Sequence, residues 1–399
     1  MSYVLTFLAC LLALPVTILF LEVFAALFLP TKTLSYSAQG DRRRLAVIVP
    51  AHNESIGILP TIGNVKGQLN NGDRLLVIAD NCHDDTARVA LLAGAETIER
   101  NEPARIGKGY ALDFALRHLA SDPPEIVICI DADCRFSDGA VERLARTCEG
   151  TQRPVQALDL MTAPTGSPIN FRAAEFAWRL KNWIRPLGLS ALGLPCQLMG
   201  TGMAFPWSLI RSASLASGAI VEDIKLGLEL AETGSPPLFC PLVSVTSGFP
   251  SSLEGAKSQR KRWEEGHIQL IVKTAPLLVV KGILHRNLGL LSLALDSMVP
   301  PLSLLTMFVT VMIFVTGLVT LLGTSATAFY ISTGCLMVLA CSVLLSWLSY
   351  GRDVVPPRSL YLLGTFVLEK LPLYKQIFSA RGSSSWVRTD RSDKNSSQP

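Results

Sequence analysis

Three stretches of the chain are apolar almost without a break: 3–29, 301–322 and 326–348. Each is long enough to cross a hydrocarbon core of ~30 Å as a helix. Between the first and the second the pattern changes. Short continuous apolar runs at Leu45–Val49, Leu75–Ala79 and Ile126–Ile130 read as strands buried on both faces. Helical spacing separates them. Asp84 or Asp85 caps a helix that runs through Leu92 and stops at Gly94, and a second helix spans Lys108 to Leu119. Strand–helix–strand alternation predicts an α/β domain, a parallel sheet with helices on both sides. Its expected extent is 42–265.

From Gly266 to Pro300 the chain is still apolar, but Lys273, Lys281, His285, Arg286 and Asp296 interrupt it. This spacing predicts amphipathic helices lying in a membrane interface, and Pro300-Pro301 breaks the path before the next span. Glu22 stands inside the first span, near one end. An ionisable residue there is a functional candidate, or it reaches the interface; it is given no role. The first span is expected to be an uncleaved helix rather than a signal peptide, because it is long and no positive charge precedes it.

Charge sets the expected orientation. Lys32 and Arg42–Arg44 follow the first span, and Arg352, Arg358, Lys370, Lys375, Arg381, Arg388 and Arg391 follow the third, while the short loop between the second and third carries none. The middle region and the basic tail, 351–399, are therefore expected in the cytosol, in a multi-pass protein of a plasma membrane. Composition agrees with a mixed architecture: 49% of residues are hydrophobic and only 17% charged. The net charge of +4 sits beside membrane segments, so no nucleic-acid partner is expected. Nine cysteines lack any C-x-x-C pair and read as reduced thiols.

Parallel sheets bind ligands beyond the carboxyl ends of their strands. Here those ends carry Pro50-Ala51-His52-Asn53-Glu54, then Asp80 to Asp85, then Asp131-Ala132-Asp133. No G-x-G-x-x-G follows a strand, and Arg105-Ile-Gly-Lys108-Gly lacks the spacing of a phosphate loop. Two carboxylates at a strand end suit Mg or Mn, which also takes phosphate oxygens; a surface turn is the plainer reading. Asp223, in Val221-Glu222-Asp223, either complements the dipole of the helix it opens or takes a proton from a hydroxyl. Gly200-Thr201-Gly202 is either an ordinary turn or a place where backbone approaches a substrate closely. Gln259, Arg262 and Trp263, in Gln-x-x-Arg-Trp, are either a membrane collar or a grip for a diphosphate and a flat ring.

The order of these motifs resembles the membrane-bound family-2 glycosyltransferases, which include cellulose, hyaluronan and chitin-oligosaccharide synthases. The resemblance covers Leu45 to Trp263. It implies a GT-A (Rossmann-like) fold, a UDP-sugar donor, Mg or Mn, and inversion at the anomeric carbon. By this resemblance Pro50, His52, Glu54, Asp80 and Lys108 bind the nucleotide-sugar, together with Asp131. Asp131 and Asp133 hold the metal, and Asp223 is the base. Gly200, Thr201, Gly202, Gln259, Arg262 and Trp263 lie along the acceptor and the diphosphate. His52 stands where many relatives carry an aromatic residue. The small number of spans favours transfer to a lipid-linked polyprenyl-diphosphate saccharide in surface polysaccharide assembly, alongside other assembly proteins and membrane lipid. A processive synthase that secretes its own β-linked glycan is the alternative. Ser385 to Arg391 also resembles a tail of bacterial exopolysaccharide glycosyltransferases, or is a basic, Trp-anchored tail on anionic lipid.

Overall fold

The computed structural model describes residues 2–31, 40–216, 221–250 and 253–379; Lys32, Arg381 and the tail motif Ser385–Arg391 lie outside them. The chain opens with α1 (Ser2–Phe28) and then alternates β1 (Leu45–Ala51), α2 (Ile58–Lys66), β2 (Arg74–Asp80), α3 (Thr86–Leu92), β3 (Glu96–Arg100), α4 (Lys108–Leu119) and β4 (Ile126–Cys129). Next come β5 (Arg135–Phe136), α5 (Ala140–Thr151), β6 (Val155–Thr162) and α6 (Ile169–Arg179), which a π-turn at Leu180–Ile184 joins to α7 (Arg185–Ala191). β7 (Met203–Pro206), the short α8 (Trp207–Ile210), α9 (Glu222–Glu232) and β8 (Leu238–Gly248) follow. Helices α10 (Leu253–Lys273), α11 (Ala275–Leu284), α12 (Leu288–Ser297), α13 (Leu302–Leu321), α14 (Thr327–Tyr350), α15 (Leu363–Leu368) and α16 (Leu371–Ser379) complete the described chain.

Two compact units emerge, a sheet unit of 40–162 and 194–250 and a helical unit of 2–31, 163–193 and 253–379. This division departs from the domain expected over 42–265. Residues 163–193 form helices with a large buried apolar share, Phe171, Phe176 and Leu180 among them, and so join the helical unit.

Among the described residues the sheet unit has eight strands, all in one sheet, in the order β3-β2-β1-β4-β7-β6-β8-β5. β3, β2, β1 and β4 run parallel, and β7 pairs antiparallel with both β4 and β6. The three apolar runs are β1, β2 and β4. The other five strands carry no comparable signal, because they are short (Met203–Pro206), largely polar (Glu96–Arg100), or interrupted by polar side chains (Val155–Thr162). Successive residues of β1 serve opposite layers. Leu45, Val47 and Val49 pack with Ile58 and Ile62 of α2 and Val141 and Leu144 of α5. Ala46 and Ile48 pack with Leu112 and Leu116 of α4 and with Phe205. Burial on both faces is what the unbroken apolar runs encode.

Among the described residues three helices, α1, α13 and α14, are long and apolar enough to cross a membrane, and a fourth crossing arises if 257–273 and 275–284, bent by 45°, count as one. α11 and α12 are ten residues each, about 15 Å, which is half a bilayer core. Inside this unit Glu22 finds a partner that the sequence did not announce. Arg185 of α7 donates through Nε to Glu22 Oε2 at 2.7 Å, and through Nη2 to the Asp296 carbonyl at 2.8 Å and to the Asp296 carboxylate. All three side chains are buried. α7 comes this close to α1 because Gly188 has no side chain: a Cβ there would stand 1.9 Å from the Glu22 carbonyl oxygen.

Candidate active site

The ends of β1 and β2 lie side by side, Pro50 opposite Ile78 and Ala51 opposite Ala79. Pro50 falls beyond Ile48, the last β1 residue paired with β4, where a missing N–H is tolerated. Each strand is followed by an asparagine with positive φ, Asn53 at 55° and Asn81 at 51°, a conformation that asparagine adopts more readily than most residues. Asn53 Oδ1 accepts from His83 N and Asn81 Oδ1 from Glu102 N, both at 2.7 Å. These side chains tie the neighbouring turns together at the sheet edge. His52 Nδ1 lies 2.7 Å from the Asp80 carbonyl oxygen, which only accepts, so Nδ1 carries the proton. Its Nε2 faces the Asn53 amide at 3.3 Å, and the ring is held from both nitrogens. Glu54 N donates to Thr86 Oγ1 at 2.8 Å. Asp84 Oδ1 accepts from Thr86 N at 3.0 Å, so Asp84 rather than Asp85 supplies the side chain at the start of α3. Burial works against the Asp84 carboxylate, but its bonds from Thr86 and Ser55 prevail and hold it down at about 2.

Asp80 Oδ1 accepts from Arg100 Nη1 at 2.6 Å and from Asn81 Nδ2 at 3.1 Å. Burial nevertheless leaves its carboxyl above the ordinary value. Arg100 is itself buried, donates to Glu102 Oε2 at 3.1 Å and to the Arg105 carbonyl at 2.8 Å, and lies over the Tyr110 ring at 5.4 Å. Sequence reasoning missed it. Its only signal was its place at the end of a polar segment that proves to be β3.

Asp131 and Asp133 follow β4. Lys108, the first residue of α4, donates through Nζ to the Asp131 carboxylate and to the Gly200 carbonyl at 2.7 Å. Burial opposes its charge, but Asp131 and Glu222 outweigh burial and raise its pKa. Gly200 has φ +87°, and a Cβ there would lie 3.3 Å from Asp223 Oδ2 and 3.9 Å from Lys108 Nζ. Asp131 N donates to Thr201 Oγ1 at 3.1 Å. Gly202 has φ +66°, and a Cβ there would meet Val245 Cγ1 at 2.8 Å, so both glycines are required. The Met199–Gly202 turn therefore stands between the acidic strand end and Asp223, which opens α9 beside Glu222. Burial and the adjacent Asp223 carboxylate push Glu222 up to about 8, against the pull of Lys108.

The donor set beside β4 fits a hard divalent cation. Oxygens of Asp131 and Asp133 and the sulfur of Cys134 lie within 4.8 Å of one another. Cys134 is buried, and burial holds its thiol well above its ordinary range. That leaves the two half-exposed carboxylates, the oxygen ligands Mg and Mn prefer.

Gln259, Arg262 and Trp263 lie on α10 in the helical unit. Gln259 is buried and the other two are half-buried. Trp263 packs against Trp178 with ring centroids 5.1 Å apart, and Lys181 Nζ lies 5.7 Å from the centre of the Trp178 ring. Glu264, the next residue after this motif, accepts from Lys370, and the Tyr374 hydroxyl meets Ser303 Oγ at 2.8 Å. Neither Trp178 nor Lys370 was marked as part of that motif's surroundings from sequence.

A profile of the family described as "Glycosyl transferase family group 2" matches residues 126–349, and one described as "Glycosyl transferase family 2" matches residues 46–179. Among solved structures the chain is similar to the mannosyltransferase PcManGT from Pyrobaculum calidifontis in complex with GDP-Man and Mn2+, with 16% identity, a TM-score of 0.54, and coverage of 94% of this chain and 99% of that one. It is also similar to glucosyl-3-phosphoglycerate synthase from Mycobacterium tuberculosis in complex with UDP, with 21% identity, a TM-score of 0.40, and coverage of 59% and 86%. No curated protein matches the chain in sequence. The likeness to PcManGT, at that identity, concerns the fold, the mixed α/β sheet of GT-A enzymes. With the first profile spanning more than half of its length, the chain belongs to glycosyl transferase family group 2.

Proposed function

We propose that the chain is a membrane-bound, inverting, metal-dependent transferase that moves a sugar from a UDP-sugar to a lipid-linked saccharide in surface polysaccharide assembly. The observation that carries this reading is Lys108, whose ammonium joins the Asp131 carboxylate to the Gly200 carbonyl, with Gly200 backed by Asp223. A cation, a metal-binding acid pair and a candidate base thus share one turn. The solved structure of similar fold, PcManGT, carries GDP-Man with Mn2+.

In this reading Asp131 and Asp133 would hold a divalent cation, whose charge would offset the negative charge of a departing diphosphate. Lys108 adds a fixed charge to the same end of the site. The ledge of His52, Glu54 and Asp80, with Pro50 behind it, receives the nucleoside. Asp223 takes the proton from the acceptor hydroxyl as the hydroxyl oxygen forms its bond to the anomeric carbon. The bond from that carbon to the diphosphate breaks with its electron pair going to UDP, and the configuration inverts. Burial and the neighbouring Asp223 carboxylate favour the protonated form of Glu222, which supports Asp223 as the acceptor of that proton. Thr201 and Gly202 shape the turn next to it. Gln259, Arg262 and Trp263 take the acceptor and diphosphate roles that the family resemblance implies.

The apolar lengths of α1, α13 and α14 support a multi-pass membrane protein, and the basic residues after the first and third spans support a cytosolic place for the sheet unit and the tail. On α11 and α12, Leu277, Ile283, Leu284 and Leu288 are exposed, and Lys281 on α11 and the flanking Lys273 and Arg286 break the apolar run, which supports helices lying in the interface.

The test is release of the nucleoside diphosphate (UDP, or GDP from GDP-mannose) by detergent-purified protein with and without Mn or Mg, across a panel of UDP-sugars and GDP-mannose, with a polyprenyl-linked acceptor extract. Metal-dependent release from one UDP-sugar with a single mass increment on the lipid is expected. A ladder of masses would establish the processive alternative, and release from the guanosine donor alone would replace the uridine reading.

A further inference from the structure

The structure assigns Gln156 as the positioning residue that sets the Met199–Gly202 turn against the acid pair on one side and the base on the other. This rests on the roles proposed above for Asp131 and Asp223. Gln156 is the second residue of β6 and is fully buried. Its Oε1 accepts from Met199 N at 2.9 Å, and its Nε2 donates to the Thr201 carbonyl at 2.9 Å and to the Ala157 carbonyl at 2.8 Å. Both N–H groups and the carbonyl of the side chain are thereby used.

The need for this clamp follows from the sheet. β6 and β7 pair only at Val155 with Ala204 and Gln156 with Met203, so the turn ahead of Met203 lies outside the ladder. Buried backbone groups there require partners. Ala157 N supplies one to the Gly202 carbonyl at 2.8 Å, and the Gln156 amide supplies the others. A turn held this way has one seat, and its outward bonds are those of the site. The Gly200 carbonyl accepts from Lys108 at 2.7 Å, and Thr201 Oγ1 accepts from Asp131 N at 3.1 Å. Gln156 acts on the reaction through Thr201, and contributes no chemical group of its own.

The test uses the full-length detergent-purified protein and Gln156→Leu, which is similar in size and offers no hydrogen bond. Hydrogen exchange is expected to rise roughly tenfold or more at Met199 and also at Asp131, while β1 and β2 stay protected. The same variant should lower kcat about tenfold or more with a donor KM within about threefold, the pattern of lost positioning rather than lost binding. Thr201→Val removes the hydroxyl that faces Asp131, and the double variant should cost no more than the worse single one, because both act along one path. Faster exchange confined to 199–202, or losses that multiply in the double variant, would overturn the assignment. Should Gln156→Leu fail to fold, Gln156→Glu keeps the acceptor for Met199 and is read the same way. Exchange needs no sugar transfer, so an inactive parent protein would defeat the proposed reaction while the exchange result still decides the role of Gln156.

Discussion

Arg185 in the helical unit and Lys108 in the sheet unit are both cations held by carboxylates, yet they are arranged for different ends. Arg185 meets Glu22 and Asp296 with all three side chains under a tenth exposed, and it joins helices α1, α7 and α12. Nothing about it faces outward. Around Lys108 the carboxylates keep surface: the Asp131 side chain is 37% exposed, and Asp133, Glu222 and Asp223 are half-buried. Charges that close on one another hold helices together, whereas charges gathered at strand ends with open faces can receive a ligand. Pairing and burial do not themselves mark function. The open coordination left over does.

Four experiments put that contrast to the test. The largest effect is expected from Asp223→Asn, which should cut kcat roughly 10²- to 10⁴-fold, the scale of general-base loss. UDP binding by calorimetry should stay within about twofold, since transfer of the proton and not the nucleotide is affected. Equal loss of both would make Asp223 a structural acid.

Arg185→Met comes next. It strands Glu22 and Asp296, and losing one partner of a buried ion pair costs about 3–5 kcal/mol, read as a lower unfolding temperature in detergent. Replacing all three residues with apolar ones should recover most of that loss, because a buried network stabilises little beyond its isosteric replacement. An unchanged unfolding temperature for Arg185→Met would show that the triad is no lock.

Asp133→Ala should weaken the metal-dependent part of UDP binding on the order of tenfold or more while leaving the metal-independent part alone. A Mn titration followed by UDP binding distinguishes the two. Unchanged metal dependence would remove Asp133 from the site.

The smallest effect concerns pH. In the folded protein Glu222 keeps its proton up to about 8, whereas unfolded it loses it near its ordinary 4.5. Between those values the folded state binds more protons, so this stabilisation is complete below the unfolded value and falls as pH rises toward the folded one. Glu222→Gln is neutral throughout and should flatten the fall in unfolding temperature across that window. An equally steep profile in the variant would assign the slope to another group.

Much of the architecture was legible along the chain, for a physical reason. A membrane core and a two-sided sheet both demand unbroken apolar runs, so α1, α13, α14, β1, β2 and β4 could be read directly, and α4 was expected over the residues it occupies, Lys108–Leu119. The strand-end acids were legible as well, because the ends of parallel strands follow from the strands themselves. What sequence could not reveal were partners brought from far away. Glu22 meets Arg185 from 163 residues along the chain and Lys108 meets Gly200 from 92. Gln156 reaches Thr201 across 45. Nor did periodicity mark Glu96–Arg100 or Met203–Pro206 as strands, since they take their place from neighbours rather than from their own pattern. Apolar patterning along the chain dictates which segments are buried and which acids stand at the sheet's edge. Which charges close on each other and which stay open follows from packing, because hydrogen bonds depend on the distances that packing sets.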